Sequence, residues 1–136
     1  MSSISLFTGA GGLDYGLERA GFKVSVAVEM DPWCCKTLQK NREFPVIHDK
    51  VENVSPKQLF NAANVKVGEA ELLFGGPPCQ PFSKSGYWVN GDTARLNDPR
   101  ANTLYHYMHM LESFLPQAFL LENVFGRLVL VESVSV

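Results

Sequence analysis

The sequence lacks the features that mark several common classes of protein. Its 136 residues carry a formal net charge of −2, so the basic surplus typical of a free-standing nucleic-acid binder is absent. No apolar run approaches the roughly 18 residues of a membrane span, so we expect no membrane segment. We find no internal repeat and no low-complexity segment, and the first residues show no secretory pattern.

Cysteine is also scarce. The chain has three, Cys34, Cys35 and Cys79, and none shows the C-x-x-C or Cys/His spacing of a metal site. This usage predicts no disulfide framework and no bound metal, and it favours a reducing, cytoplasmic setting. What the chain does contain is apolar material. Hydrophobic residues make up 46% of it and nine residues are phenylalanine, which is enough for the core of one domain.

Predicted strands and helices alternate along the chain. Periodicity predicts strands at Ile4–Phe7, Phe22–Val28, Pro45–His48, Leu72–Phe74 and Ala118–Leu121. Helices are predicted at Leu13–Ala20, from Asp31-Pro32 to about Asn41, from Ser55-Pro56 onwards, and at Thr103–Leu115. The polar stretch Tyr87–Arg100 is predicted to be a loop. Buried strands joined by helical crossovers imply an α/β fold with a parallel, doubly wound sheet of about five strands.

The segment Phe7–Gly12, FTGAGG, follows the first strand and opens the first helix, where glycines let a ligand approach the backbone. Glu29 ends the next strand 20 residues after Gly9, where an acid binds the ribose hydroxyls of a nucleoside cofactor. The spacing through Gly16 departs from the G-x-G-x-x-G of pyrophosphate sites. It therefore favours an adenosine cofactor without pyrophosphate, such as S-adenosylmethionine, over NAD. Asp49 ends the third strand and is either an adenine contact or a turn residue.

The segment Gly75–Ser83, GGPPCQPFS, surrounds the lone Cys79 with prolines directly after the fourth strand. That strand is predicted to lie next to the first, at the switch point where ligands bind. Cys79 is either a nucleophile there or a buried structural thiol. Glu122-Asn123 follows the fifth strand and reaches the same sheet edge. We expect its carboxyl group to lie opposite Cys79 and to be partly desolvated.

Four segments in this order resemble the motifs of the bacterial cytosine-5 DNA methyltransferases: Phe7–Gly12, Val28–Pro32, Gly75–Ser83 and Glu122–Val124. The segment Asp98–Arg100, together with Leu104, resembles a weaker motif of the same family. The resemblance covers Ser5 to Val124. It implies a Rossmann-like S-adenosylmethionine-dependent methyltransferase fold, S-adenosylmethionine as cofactor and double-stranded DNA as substrate.

The resemblance also implies roles for individual residues. Cys79 would attack carbon 6 of cytosine, Glu122 would hold or protonate ring nitrogen 3, and Asn123 would orient Glu122. Phe7 would pack on the adenine. The implied cofactor-binding residues are Phe7, Gly9, Gly11, Gly12, Glu29, Met30, Asp49, Pro78 and Leu104. The implied nucleic-acid contacts are Gln80, Ser83, Lys84, Arg95 and Arg100.

The sequence departs from the family after Glu122. No R-x-R pair follows it, and residues 125–136 match no family motif. We therefore expect residues 1–124 to form a truncated catalytic and cofactor-binding domain, without a target-recognition domain and with little activity alone. Three interpretations stay open: a truncated enzyme, one subunit of a split enzyme completed by a C-terminal chain, or a non-catalytic cofactor-binding or interaction module. The exposed sheet edge could also support self-association. A tRNA cytosine-5 methyltransferase is a further alternative.

Overall fold

The computed structural model describes residues 2–78 and 102–123. The predicted loop Tyr87–Arg100 and the tail at 125–136 lie outside the described residues. In chain order the elements are β1 (Ser3–Leu6), α1 (Gly12–Arg19), β2 (Val24–Glu29), α2 (Pro32–Asn41), β3 (Val46–His48), a 3₁₀ turn (Val51–Asn53), α3 (Pro56–Ala63), β4 (Leu72–Gly75), α4 (Asn102–Phe114) and β5 (Ala118–Leu121). Every predicted strand and helix is present, and the 3₁₀ turn is additional. None of these described helices has the length and apolar character needed to cross a membrane.

Side-chain caps begin two of the helices where the sequence predicts them. Asp31 accepts hydrogen bonds from the backbone N–H groups of Trp33 and Cys34 at 2.9 and 2.8 Å, which starts α2. The bond from the Cys34 N–H is the main cause that lowers the pKa of Asp31. Ser55 and Gln58 cap α3 reciprocally, because each side chain accepts from the other residue's backbone N–H. Local sequence therefore sets both helix starts.

The end of α1 corrects one predicted boundary. Gly21 has a left-handed φ of 97° and donates its N–H to the carbonyl oxygen of Glu18, as expected of a C-terminal stop. Phe22 donates its N–H to the carbonyl oxygen of Leu17 at 3.0 Å. Because these bonds bind Phe22 to the helix end, β2 starts at Val24 and not at Phe22.

The five strands form one parallel sheet in the order β3-β2-β1-β4-β5. β1 lies at its centre and pairs with both β2 and β4. The chain moves outwards from β1 in one direction through β3 and then in the other through β4 and β5. The carboxyl ends of β1 and β4 therefore border a crevice at the topological switch point, as predicted. Within the described residues, β3 and β5 are the outer strands.

The two faces of the sheet are packed unequally. The larger cluster lies under α3 and α4 and includes Ile4, Leu6, Val26, Val28, Leu59, Leu73, Tyr107, Met110 and Phe114. The Tyr107 hydroxyl lies 3.1 Å from each of the carbonyl oxygens of Leu73 and Leu120 and shares its one proton between them, which links α4 to β4 and β5. Burial raises the pKa of Tyr107. The smaller cluster, on the α1 face, is built on Val24, Leu72 and Phe74.

Gly75 should be indispensable to the pairing of β1 with β4. A Cβ atom at this position would press against the backbone carbonyl oxygen of Leu6, which cannot move without disturbing the sheet. We expect Gly75→Ala to lower the free energy of unfolding by on the order of 3 kcal/mol, measured by urea denaturation.

Gly16→Ala is the matched control, because Gly16 lies inside α1 with open space at its Cβ position. Alanine is the better helix former, so this change should raise the free energy of unfolding by up to about 1 kcal/mol. Equal unfolding midpoints for the two variants would contradict the close approach of Gly75 to Leu6.

Candidate functional site

The segment Phe7–Gly12 turns from β1 into α1 at the carboxyl edge of the sheet. Its backbone enters the left-handed region at Phe7, Gly9 and Gly11, with φ values of 54°, 59° and 86°. At Gly11 a Cβ atom would also lie 2.8 Å from Cδ2 of Leu38, so the position has room for glycine alone. A tight turn with few side chains therefore opens onto the crevice between β1 and β4.

The Glu29 carboxylate at the end of β2 holds this turn in place. Its Oε2 accepts the Gly9 N–H at 2.6 Å, and its Oε1 accepts the N–H groups of Met30 and Asp31 at 2.8 Å each. Three backbone donors fix the orientation of both oxygens. A carboxylate has about four acceptor positions, so capacity for a further donor remains. The structure therefore joins Glu29 to the glycine loop directly, and its predicted contact with a ribose stays a prediction.

A depression of about 490 Å³, the Glu29 cleft, is lined by Phe7, Gly9, Val28, Glu29, Met30, Asp49, Lys50, Val51, Glu52, Gly76, Pro78 and Thr103. Six of the nine predicted cofactor-binding residues are in that set: Phe7, Gly9, Glu29, Met30, Asp49 and Pro78. The other three do not line the cleft. Gly11 is buried, Gly12 begins α1, and Leu104 is half-buried in α4 next to the lining residue Thr103.

Asp49 lies on the rim of the Glu29 cleft and also begins a turn. Its Oδ1 accepts the Asn53 side-chain amide at 2.8 Å and the Lys50 N–H at 2.7 Å, and the Asn53 bond is the main cause that lowers the pKa of Asp49. Both interpretations of Asp49 are therefore compatible with its position. The same 3₁₀ turn brings Lys50, Val51 and Glu52 to the cleft. Sequence analysis missed them because no periodicity marks a three-residue turn.

A second depression of about 390 Å³, the Glu122 cleft, lies on the α1 side of the switch point. Its lining residues are Ser5, Leu6, Phe7, Thr8, Leu13, Asp14, Phe74, Gly75, Gly76 and Glu122. Phe7 and Gly76 line both clefts, so the two depressions adjoin where β1 and β4 end. The predicted motifs at 7–12, 75–83 and 122–124 thus begin at one edge of the sheet.

The structure places Glu122 beside the start of the cysteine segment. Its N–H donates to the carbonyl oxygen of Gly75 at 2.9 Å, and its Oε2 lies 2.6 Å from the position of a Cβ atom on Gly76. Glu122 is an exposed residue on the cleft wall, and the expectation of a partly desolvated carboxyl group stays a prediction. β5 brings the group to the sheet edge but leaves it in contact with water. Asn123, directly after it, is half-buried.

Several predicted residues lie outside the described residues, and their roles stay predictions: Cys79, Gln80, Ser83, Lys84, Arg95 and Arg100. The first described stretch ends at Pro78, one position before Cys79. Pro78 is exposed on the rim of the Glu29 cleft. The described backbone therefore reaches the rim of the Glu29 cleft one residue before the predicted nucleophile.

The other two cysteines are not placed for nucleophilic chemistry. Cys34 and Cys35 carry free thiols, and burial raises the pKa of each. Cys35 also donates its thiol to the carbonyl oxygen of Glu29 at 3.2 Å, so it supports the end of β2. In the stretches 2–78 and 102–123, no group of three or more His, Cys, Asp or Glu side chains could hold a metal ion.

Asp14 is a residue of the site that sequence analysis missed. It lies in the first turn of α1, is fully buried and lines the Glu122 cleft. Neither carboxylate oxygen has a hydrogen-bond partner among the described residues. Burial raises the pKa of Asp14 from 3.8 to about 6. A signal was present, because a helical projection that turns Leu13 and Leu17 inwards also turns Asp14 towards the sheet.

The sheet order and the acid-anchored glycine loop define a Rossmann-like fold, which solved methyltransferases share. A prophage-encoded protein of E. coli described as a DNA modification methyltransferase matches with a TM-score of 0.69 and 27% identity, over 93% of this chain and 32% of that one. Dnmt2 of S. pombe matches with a TM-score of 0.67 and 22% identity, over 93% and 37%. This second likeness bears on the fold alone.

The chain belongs to the C-5 cytosine-specific DNA methylase family, whose model matches residues 1–130. The Type II methyltransferase M.AquIA of Picosynechococcus sp. is 41% identical over 126 residues, which are 92% of this chain and 49% of that protein. M.FnuDI of Fusobacterium nucleatum is 38% identical over 94% of this chain and 33% of its own length. The chain therefore spans about half or less of the length of these relatives.

Replacing Glu29 should release the glycine loop. In Glu29→Gln one amide oxygen can still accept from Met30 and Asp31, but the NH₂ group would face the Gly9 N–H. We expect the free energy of unfolding to fall by about 1–3 kcal/mol and the Gly9 amide to exchange faster with solvent.

Glu52→Gln is the control on the rim of the same cleft. The only ion pair of Glu52 among the described residues is an exposed contact with Lys50 at 4.0 Å, so the variant should lose less than about 0.5 kcal/mol. If both variants changed stability and Gly9 exchange equally, the Glu29 tether would not be what holds the loop.

Proposed function

We propose that the protein acts as a DNA (cytosine-5-)-methyltransferase, which transfers a methyl group from S-adenosylmethionine to carbon 5 of cytosine. The observation that supports this most directly is the Glu29 carboxylate, fixed by three backbone N–H groups at the floor of an apolar-walled cleft. Membership of the C-5 cytosine-specific DNA methylase family supports the substrate. The relatives named as Type II methyltransferases support a place in DNA modification.

The residues of the Glu29 cleft fit the adenosine end of the cofactor. The fixed Glu29 carboxylate keeps acceptor capacity for the ribose hydroxyls, which are donors. Phe7 offers a ring to the adenine. The Oδ1 of Asp49 serves its turn, which leaves its second oxygen to accept from the adenine amine. Further walls of the cleft are formed by Gly9, Met30 and Pro78. The glycine loop and the rim are supported by residues outside the lining: Gly11, Gly12 and Leu104.

When bound, S-adenosylmethionine supplies an electrophilic methyl group on a positively charged sulfur. The chain has to make carbon 5 of cytosine nucleophilic. Cys79 does so as a thiolate that forms a bond to carbon 6, so that the ring electrons move to carbon 5. Once carbon 5 carried the methyl group and S-adenosylhomocysteine had left, the carbon 5 proton would pass to solvent, the bond between carbon 6 and the Cys79 sulfur would break, and the aromatic ring would be restored.

Glu122 supports the attack by holding or protonating ring nitrogen 3, and Asn123 orients it. The position of Glu122 beside Gly76, three residues before Cys79, supports a role next to that thiol. Its carboxyl group is exposed in the described residues. A base that entered the cleft would itself displace the water from Glu122. A base stacked inside the duplex cannot reach Glu122 or Cys79. The target base therefore has to leave the stack.

The substrate is double-stranded DNA, contacted through Gln80, Ser83, Lys84, Arg95 and Arg100. The family favours DNA over tRNA. Because the relatives are longer than this chain, we propose that target recognition is supplied by polypeptide beyond these residues, in the same protein or in a complementing chain. The free thiols of Cys34 and Cys35 suit a cytoplasmic location. A non-catalytic cofactor-binding module is the second candidate, and the adduct experiment below separates the two.

S-adenosylhomocysteine should bind this chain through the Glu29 cleft. In calorimetry we expect Glu29→Gln to weaken binding roughly tenfold or more, because it removes acceptor capacity for the ribose and frees the loop. Glu52→Gln, on the rim of the same cleft, should bind as the unaltered protein does. Absence of binding by the unaltered chain would count against a cofactor site in these residues.

A covalent adduct should form at Cys79. We expect DNA that contains 5-fluorocytosine to be trapped by the protein in the presence of S-adenosylmethionine, because fluorine at carbon 5 blocks the elimination that frees the enzyme. Cys79→Ser should abolish the adduct, whereas Cys34→Ser should keep it. If the chain alone gives no adduct, the experiment is repeated with a complementing C-terminal chain. Failure in both forms would favour the non-catalytic module.

A further inference from the structure

Asp14 has a buried acid group that the proposed chemistry does not use. It is fully buried, and neither of its oxygens is hydrogen-bonded within the described part of the chain. A carboxylate in that setting is costly if charged, since it has lost water and gained no donor. An unsatisfied buried group in a folded protein calls for an explanation. Asp14 lies beside Ser5 of β1 on the wall of the Glu122 cleft.

A short chain of hydroxyl groups begins at Ser5. Thr8 donates its hydroxyl to the carbonyl oxygen of Val28 at 3.2 Å, and the hydroxyl oxygens of Ser5 and Thr8 are 2.9 Å apart. Each hydroxyl has one proton, and Thr8 uses its own on Val28. While Thr8 keeps that bond, the single Ser5 proton can go to Thr8 or to Asp14 but not to both. The Ser5 oxygen can in addition accept a proton from a neutral Asp14.

Thr8 is part of the glycine loop. Its carbonyl oxygen accepts the Gly11 N–H at 3.1 Å, and its own N–H donates to the carbonyl oxygen of Val28 at 3.3 Å. The Thr8 side chain is buried and adds the second contact to Val28. Any group that takes the Ser5 proton removes the hydrogen bond from the Ser5 hydroxyl to the Thr8 side chain. The state of Asp14 is therefore coupled to the shape of the loop.

The surrounding charges favour a neutral Asp14. Glu18, one turn further along α1, and Glu122, on the same cleft, are acids. Arg42 is the nearby cation, but it pairs with Glu18 at 3.7 Å and lies 5.3 Å from the centre of the Tyr15 ring. Burial, with the charge of Glu18 adding to it, outweighs the lowering effects of the Ser5 hydroxyl, the Asp14 backbone N–H and Arg42. The pKa of Asp14 is raised to about 6 as a result.

We propose that Asp14 is a proton-binding positioning residue of the glycine loop, active as the neutral acid. A small rotation lets neutral Asp14 donate to Ser5, which completes the chain Asp14–Ser5–Thr8–Val28. When Asp14 releases its proton to solvent, the carboxylate draws the Ser5 proton away from Thr8 and the loop loosens. The link to cofactor affinity rests on the proposed function, whereas the link to loop stability does not.

The sign of the pH dependence follows from the raised pKa. Below about pH 4, Asp14 is protonated in both the folded and the unfolded chain. Between about pH 4 and pH 6 the unfolded chain loses the proton first, so the folded chain becomes less stable as the pH rises. From about pH 5 to pH 7.5, Asp14 alone should raise the unfolding equilibrium constant roughly tenfold.

The first test is urea denaturation of the chain at these two pH values. In Asp14→Asn the side chain stays neutral and can still donate to Ser5, so the roughly tenfold contribution should disappear. Glu18→Gln is the matched acid control on α1, and it should keep the roughly tenfold change in the unfolding equilibrium constant. Carbon NMR of the Asp14 carboxyl group in the unaltered chain gives a direct titration, should Asp14→Asn fail to fold.

The second test separates loop positioning from simple burial. Protection of the Gly11 amide against hydrogen exchange should fall in the unaltered chain as the pH rises through about 6, and S-adenosylhomocysteine affinity should fall with it. Ser5→Ala interrupts the chain of hydroxyls. It should keep the pH dependence of unfolding but lose that of Gly11 protection and of affinity. Asp14→Asn should lose all three.

Three results would overturn the proposal: an Asp14 carboxyl group that titrates near its ordinary pKa, an unchanged pH dependence of unfolding in Asp14→Asn, or a pH-dependent Gly11 protection that persists in Ser5→Ala. If S-adenosylhomocysteine binds no variant at any pH, the proposed function fails. The unfolding, titration and exchange measurements would still decide the role of Asp14.

Discussion

The hydrogen bond from the Gly9 N–H to the Glu29 carboxylate is the contact on which the rest of the site depends. It joins the turn after β1 to the end of β2, so the glycine loop cannot drift from the strand beside it. Two further N–H donors from Met30 and Asp31 fix the same carboxylate, and Asp31 then caps α2. The Glu29 side chain thereby fixes the position of the glycine loop, the end of β2 and the residues that lead into α2.

The sheet makes this arrangement possible because its winding reverses between β1 and β4. Gly75 has to approach the Leu6 carbonyl closely, and this approach brings Gly75 and Gly76, the start of the cysteine segment, to the side of the glycine loop. Tyr107 ties the carbonyl oxygens of β4 and β5 to α4. β5, paired with β4, then brings Glu122 to the same edge. The two clefts adjoin because β1, β4 and β5 end together at this edge of the sheet.

Three acids near this edge have different surroundings. Glu29 is fixed by three backbone donors, Glu122 is exposed to water, and Asp14 is buried without a partner in the described chain. A fixed acceptor suits recognition of hydroxyl groups, and an exposed carboxyl group suits contact with an incoming base. A buried acid responds to pH. Under the proposed function, these environments would assign binding to Glu29, chemistry to Glu122 and loop support to Asp14, although all three use carboxyl groups.

The sequence by itself determined the elements, their parallel order and the chemical class. Asp31, Ser55 and Gly21 mark helix ends through bonds within a few residues, and alternating apolar runs mark the strands. The spacing between Gly9 and Glu29 could also be read from the sequence, because only the helical crossover from β1 to β2 separates the two residues. Tertiary structure alone decided that Glu122 is exposed, that Phe22 belongs to a helix end and that Asp14 is buried. The solvent exposure and the hydrogen-bond partners of a residue depend on what packs against it from distant parts of the chain. A local sequence pattern does not contain that information.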